Sequence, residues 1–308
     1  VWRNPVVGNY KAYKIISMPP PSSGGLALVA LLQSVANYPL KQWGFQSDST
    51  VRAMVEAERR IYADRATHLG DPDFYTVPEA LLVDQQRNEA RMSTVSLKKA
   101  TPSEDVKAQK FPGYESEETT HFSIVDKMGN AVSLTTTING SYGSGVFVDG
   151  AGFLLNNEMD DFSVKPGVPN MYGLLGGKAN AIAPNKRMLS AMTPTVVEKD
   201  GKLYMVVGTP GGSTIITSVF QTILNVIEFG MDAQESVTAA RFHHQWMPDR
   251  IDVEAKALSD ATRTSLSNDG YSIYKRGNIG RVENILVLPN GKLQTGADPR
   301  GDDKAAGY

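Results

Sequence analysis

The sequence predicts an α+β fold in which antiparallel sheets are covered by helices. Three observations carry that prediction. Residues 1–95 read as mostly helical, the chain after Thr119 reads as strand-rich, and a polar stretch holding Pro102, Pro112 and Gly113 separates the two. At 308 residues, 41% apolar and 21% charged, the chain has the makeup of an ordinary globular protein with ample length for a buried core. No internal repeat is present.

The elements follow in order. A short strand around Lys14 to Ser17 runs into Pro19-Pro20-Pro21-Ser22-Ser23-Gly24-Gly25, a strong breaker cluster. An apolar helix is expected from about Leu26 to Ala36, then a long amphipathic helix from about Ser49 to Thr67 with Ser/Asp caps and a stop near Gly70. A third helix is expected over Val77 to Met92. Lys98 to Glu118 has no clean period and reads as an exposed, cleavable linker. His121 to Val125 and Ala131 to Thr137 alternate around Lys127-Met128-Gly129-Asn130, a hairpin signal. Gly152 to Leu155 is a short strand, and Asn156 to Pro184 is a long loop of the kind that carries function. Strands at Pro194 to Glu198 and Leu203 to Gly208 flank a Lys199-Asp200-Gly201-Lys202 turn. Helices follow at about Ser213 to Phe229 and Asp232 to Arg241. A strand at Ile251 to Glu254, a helix at Asp260 to Asn268 and strands near Tyr271 to Tyr274 and Val282 to Leu288 complete the chain.

Composition excludes several chemistries. A net charge of -2 gives no sign of nucleic-acid or anionic-membrane binding. No run of about eighteen apolar residues exists, so no membrane-spanning helix is expected. The absence of cysteine removes disulfides, thiolate nucleophiles and Cys-based zinc sites. With four histidines and no cysteine, no metal centre is expected. The chain begins Val1-Trp2-Arg3, without an initiator methionine or a signal peptide. It reads as an excised piece, with any targeting segment upstream.

Four local patterns bear on function. Glu117-Glu118-Thr119-Thr120-His121 is a polar linker entering a strand; a cut before Thr119 would place an α-amine beside a hydroxyl, giving one residue both nucleophile and base. Gly208-Thr209-Pro210-Gly211-Gly212-Ser213 joins a strand to a helix. Such a turn suits a phosphate or a developing oxyanion, and it equally reads as a tight turn with Ser213 as N-cap. No Lys follows the glycines, which excludes a Walker phosphate loop. Glu158, Asp160 and Asp161 suit a metal ion or an ammonium, or a solvated acidic loop. His243-His244 is expected at a helix C-terminus in the protonated state, a structural role.

Together these pieces resemble the γ-glutamyltransferase (γ-glutamyltranspeptidase) family of N-terminal nucleophile hydrolases. The resemblance is carried by Ser17-Met18-Pro19-Pro20-Pro21-Ser22-Ser23-Gly24-Gly25, Tyr62-Ala63-Asp64-Arg65, Leu69-Gly70-Asp71-Pro72 and Thr119-Thr120-His121-Phe122-Ser123. It continues through Leu154 to Ser163, Pro194-Thr195, Pro210-Gly211-Gly212-Ser213, Asp298-Pro299-Arg300 and Ala305-Ala306-Gly307-Tyr308. It implies a four-layer αββα sandwich and a precursor that cleaves itself at Glu118-Thr119. Residues 1–118 would then be the C-terminal part of a large subunit, ending in a cleavable linker, and residues 119–308 the small subunit.

By the same resemblance Thr119 is the nucleophile and Thr137 the hydroxyl that bonds it. Asn139, Glu158 and Asp161 hold a substrate α-ammonium, and Ser190 donates to its α-carboxylate. Gly211 and Gly212 form the oxyanion hole, and Tyr172 belongs to a lid. The implied reaction is ping-pong transfer of the γ-glutamyl group of glutathione and related amides to water, amino acids or peptides, with no cofactor. Export to the periplasm or outside the cell is implied too. Ala191 departs from a second serine common in the family, a loss of about 1.5–3 kcal/mol for one bond to a carboxylate. The family's carboxylate-binding arginine lies upstream of Val1, so residues 1–308 alone are expected to be poorly stable and weakly active. The competing readings are a glutaryl (cephalosporin-type) acylase of the same fold, disfavoured by the ammonium-binding set, and an uncleaved, non-catalytic member.

Overall fold

The computed structural model describes residues 1–106, 119–163 and 177–307. In chain order the first part holds β1 (Val6–Tyr10), β2 (Tyr13–Ser17), α1 (Gly24–Val35), α2 (Leu40–Trp43), α3 (Asp48–His68), α4 (Glu79–Leu82) and α5 (Gln85–Met92). After Thr119 come β3 (Thr120–Val125), β4 (Ala131–Thr136), β5 (Phe147–Val148), β6 (Phe153–Leu154), β7 (Thr195–Lys199) and β8 (Lys202–Gly208). Then follow α6 (Thr214–Ile227), α7 (Ala233–Thr238), β9 (Phe242–His243), β10 (Ile251–Val253), α8 (Asp260–Asn268), β11 (Ile273–Lys275), β12 (Glu283–Val287) and β13 (Leu293–Gly296).

The central six-stranded sheet runs β1-β2-β7-β8-β12-β13 and is antiparallel throughout. It joins strands from both sides of residues 107–118, so the two halves share one core. Helices α1, α6 and α7 cover one face, with α3 and α5 behind α1. The β3-β4 hairpin packs on the other face, over β7, β8 and β12. Its Asp126-to-Asn130 turn is closed by the Asp126 carboxylate, which accepts from the Met128 and Asn130 N–H groups at 2.8 Å each. The hairpin alternates. His121 and Ser133 face the large sheet, while Phe122, Ile124, Val132 and Leu134 form an exposed outer row that no described helix covers.

Several expectations need correction. Val6-Val7-Gly8-Asn9-Tyr10 lacks a clean period of two yet forms an edge strand. Gly8 is required there because a Cβ would sit 2.3 Å from Val29 Cγ1 of the crossing α1. The helix expected over Val77 to Met92 breaks at Asp84, which caps α5 by accepting from Arg87 N–H at 2.7 Å. The long helix α3 is not half-exposed but buried almost all round; several of its charges are ion-paired, as in Arg60 to Glu56 at 2.6 Å, while burial pushes Glu58 well up toward its neutral form. The start of the expected linker is tied down: buried Ser103 donates through its N–H to Asp249 at 2.8 Å and accepts from Trp246 Nε1–H at 2.8 Å. Residues 107–118 lie outside the described residues. The third sheet, β11-β10-β9, contains one parallel pair, against the expectation of antiparallel pairing alone.

His243 and His244 also differ from expectation. Helix α7 ends at Thr238, and both rings are buried in the β9 segment rather than at a helix terminus. Burial pushes His243 down to about 3 and His244 to about 4, so both are neutral. Neutral imidazole suits their bonds: His243 meets Thr217 Oγ1 at 2.8 Å and Gln245 Oε1 at 2.9 Å. No helix among the described residues is long and apolar enough to cross a membrane.

Candidate active site

Thr119 stands one residue before β3, where the hairpin register begins with Thr120 opposite Thr136. Its Oγ1 donates to Thr137 Oγ1 at 3.2 Å, and that same oxygen accepts from Asn139 N–H at 2.8 Å. Asn139 adopts φ of +72°, a left-handed conformation that asparagine tolerates, and turns the chain sharply away from β4. Its Nδ2 donates to Asn157 O at 3.3 Å, while Gly140 N–H donates to Asn157 Oδ1 at 2.8 Å. The next residues, Glu158–Asp161, form a single 3-10 turn. Hydrogen bonds therefore run unbroken from Thr119 through Thr137 and Asn139 to the acidic turn.

Burial raises both candidate ammonium-binding carboxyls above their ordinary values. Glu158 rises by burial alone. Asp161 is pushed up to about 7, chiefly by burial, with the nearby Arg65 guanidinium opposing the shift and Glu158 and Asp160 adding to it. A cation entering here would restore the charge that burial suppresses. Among the described residues no group of three or more His, Asp or Glu side chains is placed to hold a metal ion.

Ser190 forms a second edge. Its carbonyl accepts from Ser23 N–H at 2.8 Å and Ser23 Oγ–H at 2.7 Å, and its N–H donates to Pro21 O at 3.1 Å. Ser190 Oγ accepts from Met192 N–H at 3.1 Å, which leaves its hydroxyl proton for another acceptor. The Pro-Pro-Ser-Ser-Gly-Gly segment is small because it packs closely against the Ser190-to-Met192 segment and against Met18. A Cβ at Gly24 would meet Met192 O at 2.3 Å, and one at Gly25 would meet Met18 O at 2.3 Å. Ser190 is thus held by residues nearly 170 positions upstream.

The Gly211-Gly212 turn follows β8. Both residues have positive φ, +134° and +55°, and their carbonyls accept the first N–H groups of the α6 entry, from Thr214 at 3.0 Å and Ile215 at 3.2 Å. No described residue accepts from either glycine N–H. Ser213 sits at the N-cap position, but its side chain does not cap. Instead it donates to Gln245 Oε1 at 2.6 Å, and Tyr62 Oη–H donates to its carbonyl.

His121 fixes the turn relative to β3, the strand that follows Thr119. Its ring lies against Gly208, where an added Cβ would come within 2.1 Å of His121 Cε1. Nδ1 meets Thr135 Oγ1 at 2.8 Å and Nε2 meets Ser123 Oγ at 3.1 Å; burial lowers the ring to about 4, keeping it neutral. Gly208→Ala should therefore cost about 1–3 kcal/mol through overpacking. A thermal melt of the variant checks this, and an unchanged Tm would contradict it.

Of the residues singled out in sequence, Thr119, Thr137, Asn139, Glu158 and Asp161 fall in one connected chain, while Ser190 and the two glycines approach from separate segments. Tyr172 lies outside the described residues, as does Glu118. Sequence reasoning missed Asn157, Asn180, Ser23 and Arg65 as parts of the site. Asn157, Ser23 and Arg65 stood inside quoted motifs, but nothing in their spacing marked what they touch.

The architecture, helices on a large antiparallel sheet that faces a second sheet opened by a threonine, is the α+β fold of the N-terminal nucleophile hydrolases. A cephalosporin acylase from Bacillus halodurans shares it over 100% of this chain and 53% of its own, with a TM-score of 0.82 at 23% identity. The chain belongs to the gamma-glutamyltranspeptidase family, whose sequence model matches residues 1–308. It is 47% identical over 309 residues to a glutathione hydrolase proenzyme of Escherichia coli K12, covering 100% of this chain and 53% of that protein. The structure of Helicobacter pylori gamma-glutamyltranspeptidase is 54% identical, covers 59% of this chain and 100% of its own, and has a TM-score of 0.58. The chain thus spans about half the length of the curated relatives it matches.

Proposed function

We propose that this chain carries the catalytic half of a γ-glutamyl transferase/hydrolase, matured by self-cleavage at Glu118-Thr119. Residues 1–118 are then the end of a large subunit and residues 119–308 the small subunit. The observation that carries the reading is the continuous chain of bonds from the Thr119 hydroxyl to the start of a half-buried acidic turn suited to an ammonium. Once freed, the Thr119 amine acts as base and Oγ1 attacks the γ-carbonyl. The Gly211 and Gly212 N–H groups stabilise the oxyanion. An amine leaves, and water, an amino acid or a peptide resolves the ester, regenerating the hydroxyl.

Asn139, Glu158 and Asp161 take the α-ammonium, Ser190 donates to the α-carboxylate, and Tyr172 shields the ester. Glutathione is the leading donor, and no cofactor is required. Export from the cytoplasm belongs to the same reading. Denaturing mass measurement of the full-length product, with a γ-glutamyl anilide assay, tests it. Two fragments, one beginning at Thr119, together with turnover support it; one intact, inactive chain sinks it.

A pH dependence follows from Asp161. An acid raised to about 7 is protonated below that pH and ionised above it, and only the ionised form attracts an ammonium. KM for a γ-glutamyl anilide should therefore fall as pH rises toward about 7 and level off above. Asp161→Asn should flatten that limb, and an identical limb in the variant would remove Asp161 from the role. The glutaryl acylase reading lacks a use for this pair of half-buried carboxyls, since a glutaryl group has no ammonium. Relative rates on glutaryl and γ-glutamyl anilides separate the two.

A further inference from the structure

We propose that Asn180 is a positioning residue that sets the spacing between the ammonium-binding turn at Asp161 and the carboxylate donor Ser190, and with it the selection of substrates bearing both charges on one carbon. The proposal rests on the γ-glutamyl reading and names how that site chooses its substrate.

Asn180 is 4% exposed and uses both ends of its carboxamide. Nδ2 donates to Asp161 O at 2.6 Å, and Oδ1 accepts from Leu189 N–H at 2.9 Å, one residue before Ser190. Only one orientation of the amide satisfies both partners, which settles its assignment. The Asn180 carbonyl also accepts from Ser163 N–H at 2.8 Å, so the residue grips the chain at two points, at the last residue of Asp161's turn and just beyond it. Its own backbone is anchored. Lys186 Nζ donates to Ala179 O and Ala181 O at 2.8 Å each, and Gly70 leaves no room for a Cβ against Ala179 O.

The far side of the Ser190 segment is held independently. Arg65 Nε donates to Ser23 Oγ at 2.9 Å, and Ser23 passes the constraint to Ser190 O. Among the described residues, Arg65 is also the positive charge that acts on Asp161, beside Glu158 and Asp160 of its own turn. The two edges of the pocket are thus tied directly by one side chain. An ammonium and a carboxylate on a single carbon demand a separation held to a fraction of an ångström, which is what such a tie supplies.

The test uses full-length Asn180→Ala and Asn180→Asp with three anilides: γ-glutamyl, glutaryl, which lacks the ammonium, and butyryl, which lacks both charges. Asn180→Ala should raise KM for the γ-glutamyl anilide on the order of 10- to 100-fold with kcat nearly unchanged, since bonds to charged groups are loosened. It should leave kcat/KM for the butyryl anilide where it was, so the preference for γ-glutamyl collapses. Asn180→Asp keeps the acceptor for Leu189 and loses the donor to Asp161; being nearly isosteric, it carries the same test if the alanine variant does not fold. An equal loss on all three substrates marks a purely structural role and overturns the proposal, as does an unchanged γ-glutamyl KM. A wild type inactive on the γ-glutamyl anilide sinks the underlying reading and the proposal together, whereas the other outcomes, seen beside an active wild type, strike the proposal alone.

Discussion

Replacing Thr119 by alanine should leave the full-length polypeptide uncut and remove turnover of γ-glutamyl amides, a loss of about 10⁴-fold or more. The expectation follows from a double use of one atom. In the proposed reaction the Thr119 hydroxyl is needed first against the Glu118 carbonyl and then against substrate, so alanine stops the first step and leaves nothing for the second. Thr137 cannot stand in, because its nitrogen is held in the peptide bond to Thr136 and no cut before residue 119 would free an amine there to act as base. Thr119→Ser should retain both reactions at reduced rate. N-terminal sequencing and anilide turnover on the three proteins check this. A Thr119→Ala protein that still yields a fragment starting at residue 119 would show that the cut is made by something else.

The second large effect is expected at Gly211. A Cβ there would stand 2.7 Å from Thr214 Oγ1 and 3.3 Å from Gly280 Cα, on a backbone with φ of +134° that other residues rarely adopt. Gly211→Ala should therefore turn the peptide at the proposed oxyanion hole. Loss of one such donor costs about 10²–10³ in kcat. KM should change little, because the charge the donors meet exists only in the transition state. Steady-state kinetics on material with an unaltered circular dichroism spectrum provides the check. A variant that loses affinity at full kcat would place the turn in ground-state binding instead.

Much of the architecture was legible because its signals are local. The hairpin of β3 and β4 alternates cleanly around Gly129, and α8 begins and ends where its Ser259 cap and Asp269 indicate. The edge strands β1 and β13 were not legible, since Gly8 and Gly296 answer to neighbours remote in sequence, Val29 and Ala233. The same division holds at the site. Thr119, Thr137 and Asn139 lie on one hairpin, and their relation follows from its register. Ser190 is held by Ser23, and Asn180 joins Asp161 to Leu189, contacts made by tertiary packing with no local period to announce them. The neutral histidines were misjudged for a related reason. Their charge state depends on burial among residues far along the chain, Glu58 and Thr217 among them.

The hairpin ladder begins at Thr120 opposite Thr136, immediately beyond the bond proposed to break. A chain end usually frays, and holding one still costs about 1–2 kcal/mol per residue in lost freedom. Here that ordering is in place before any end exists, as a hem is stitched before the cloth beside it is cut. Scission then changes the chemistry of residue 119 without changing where it stands.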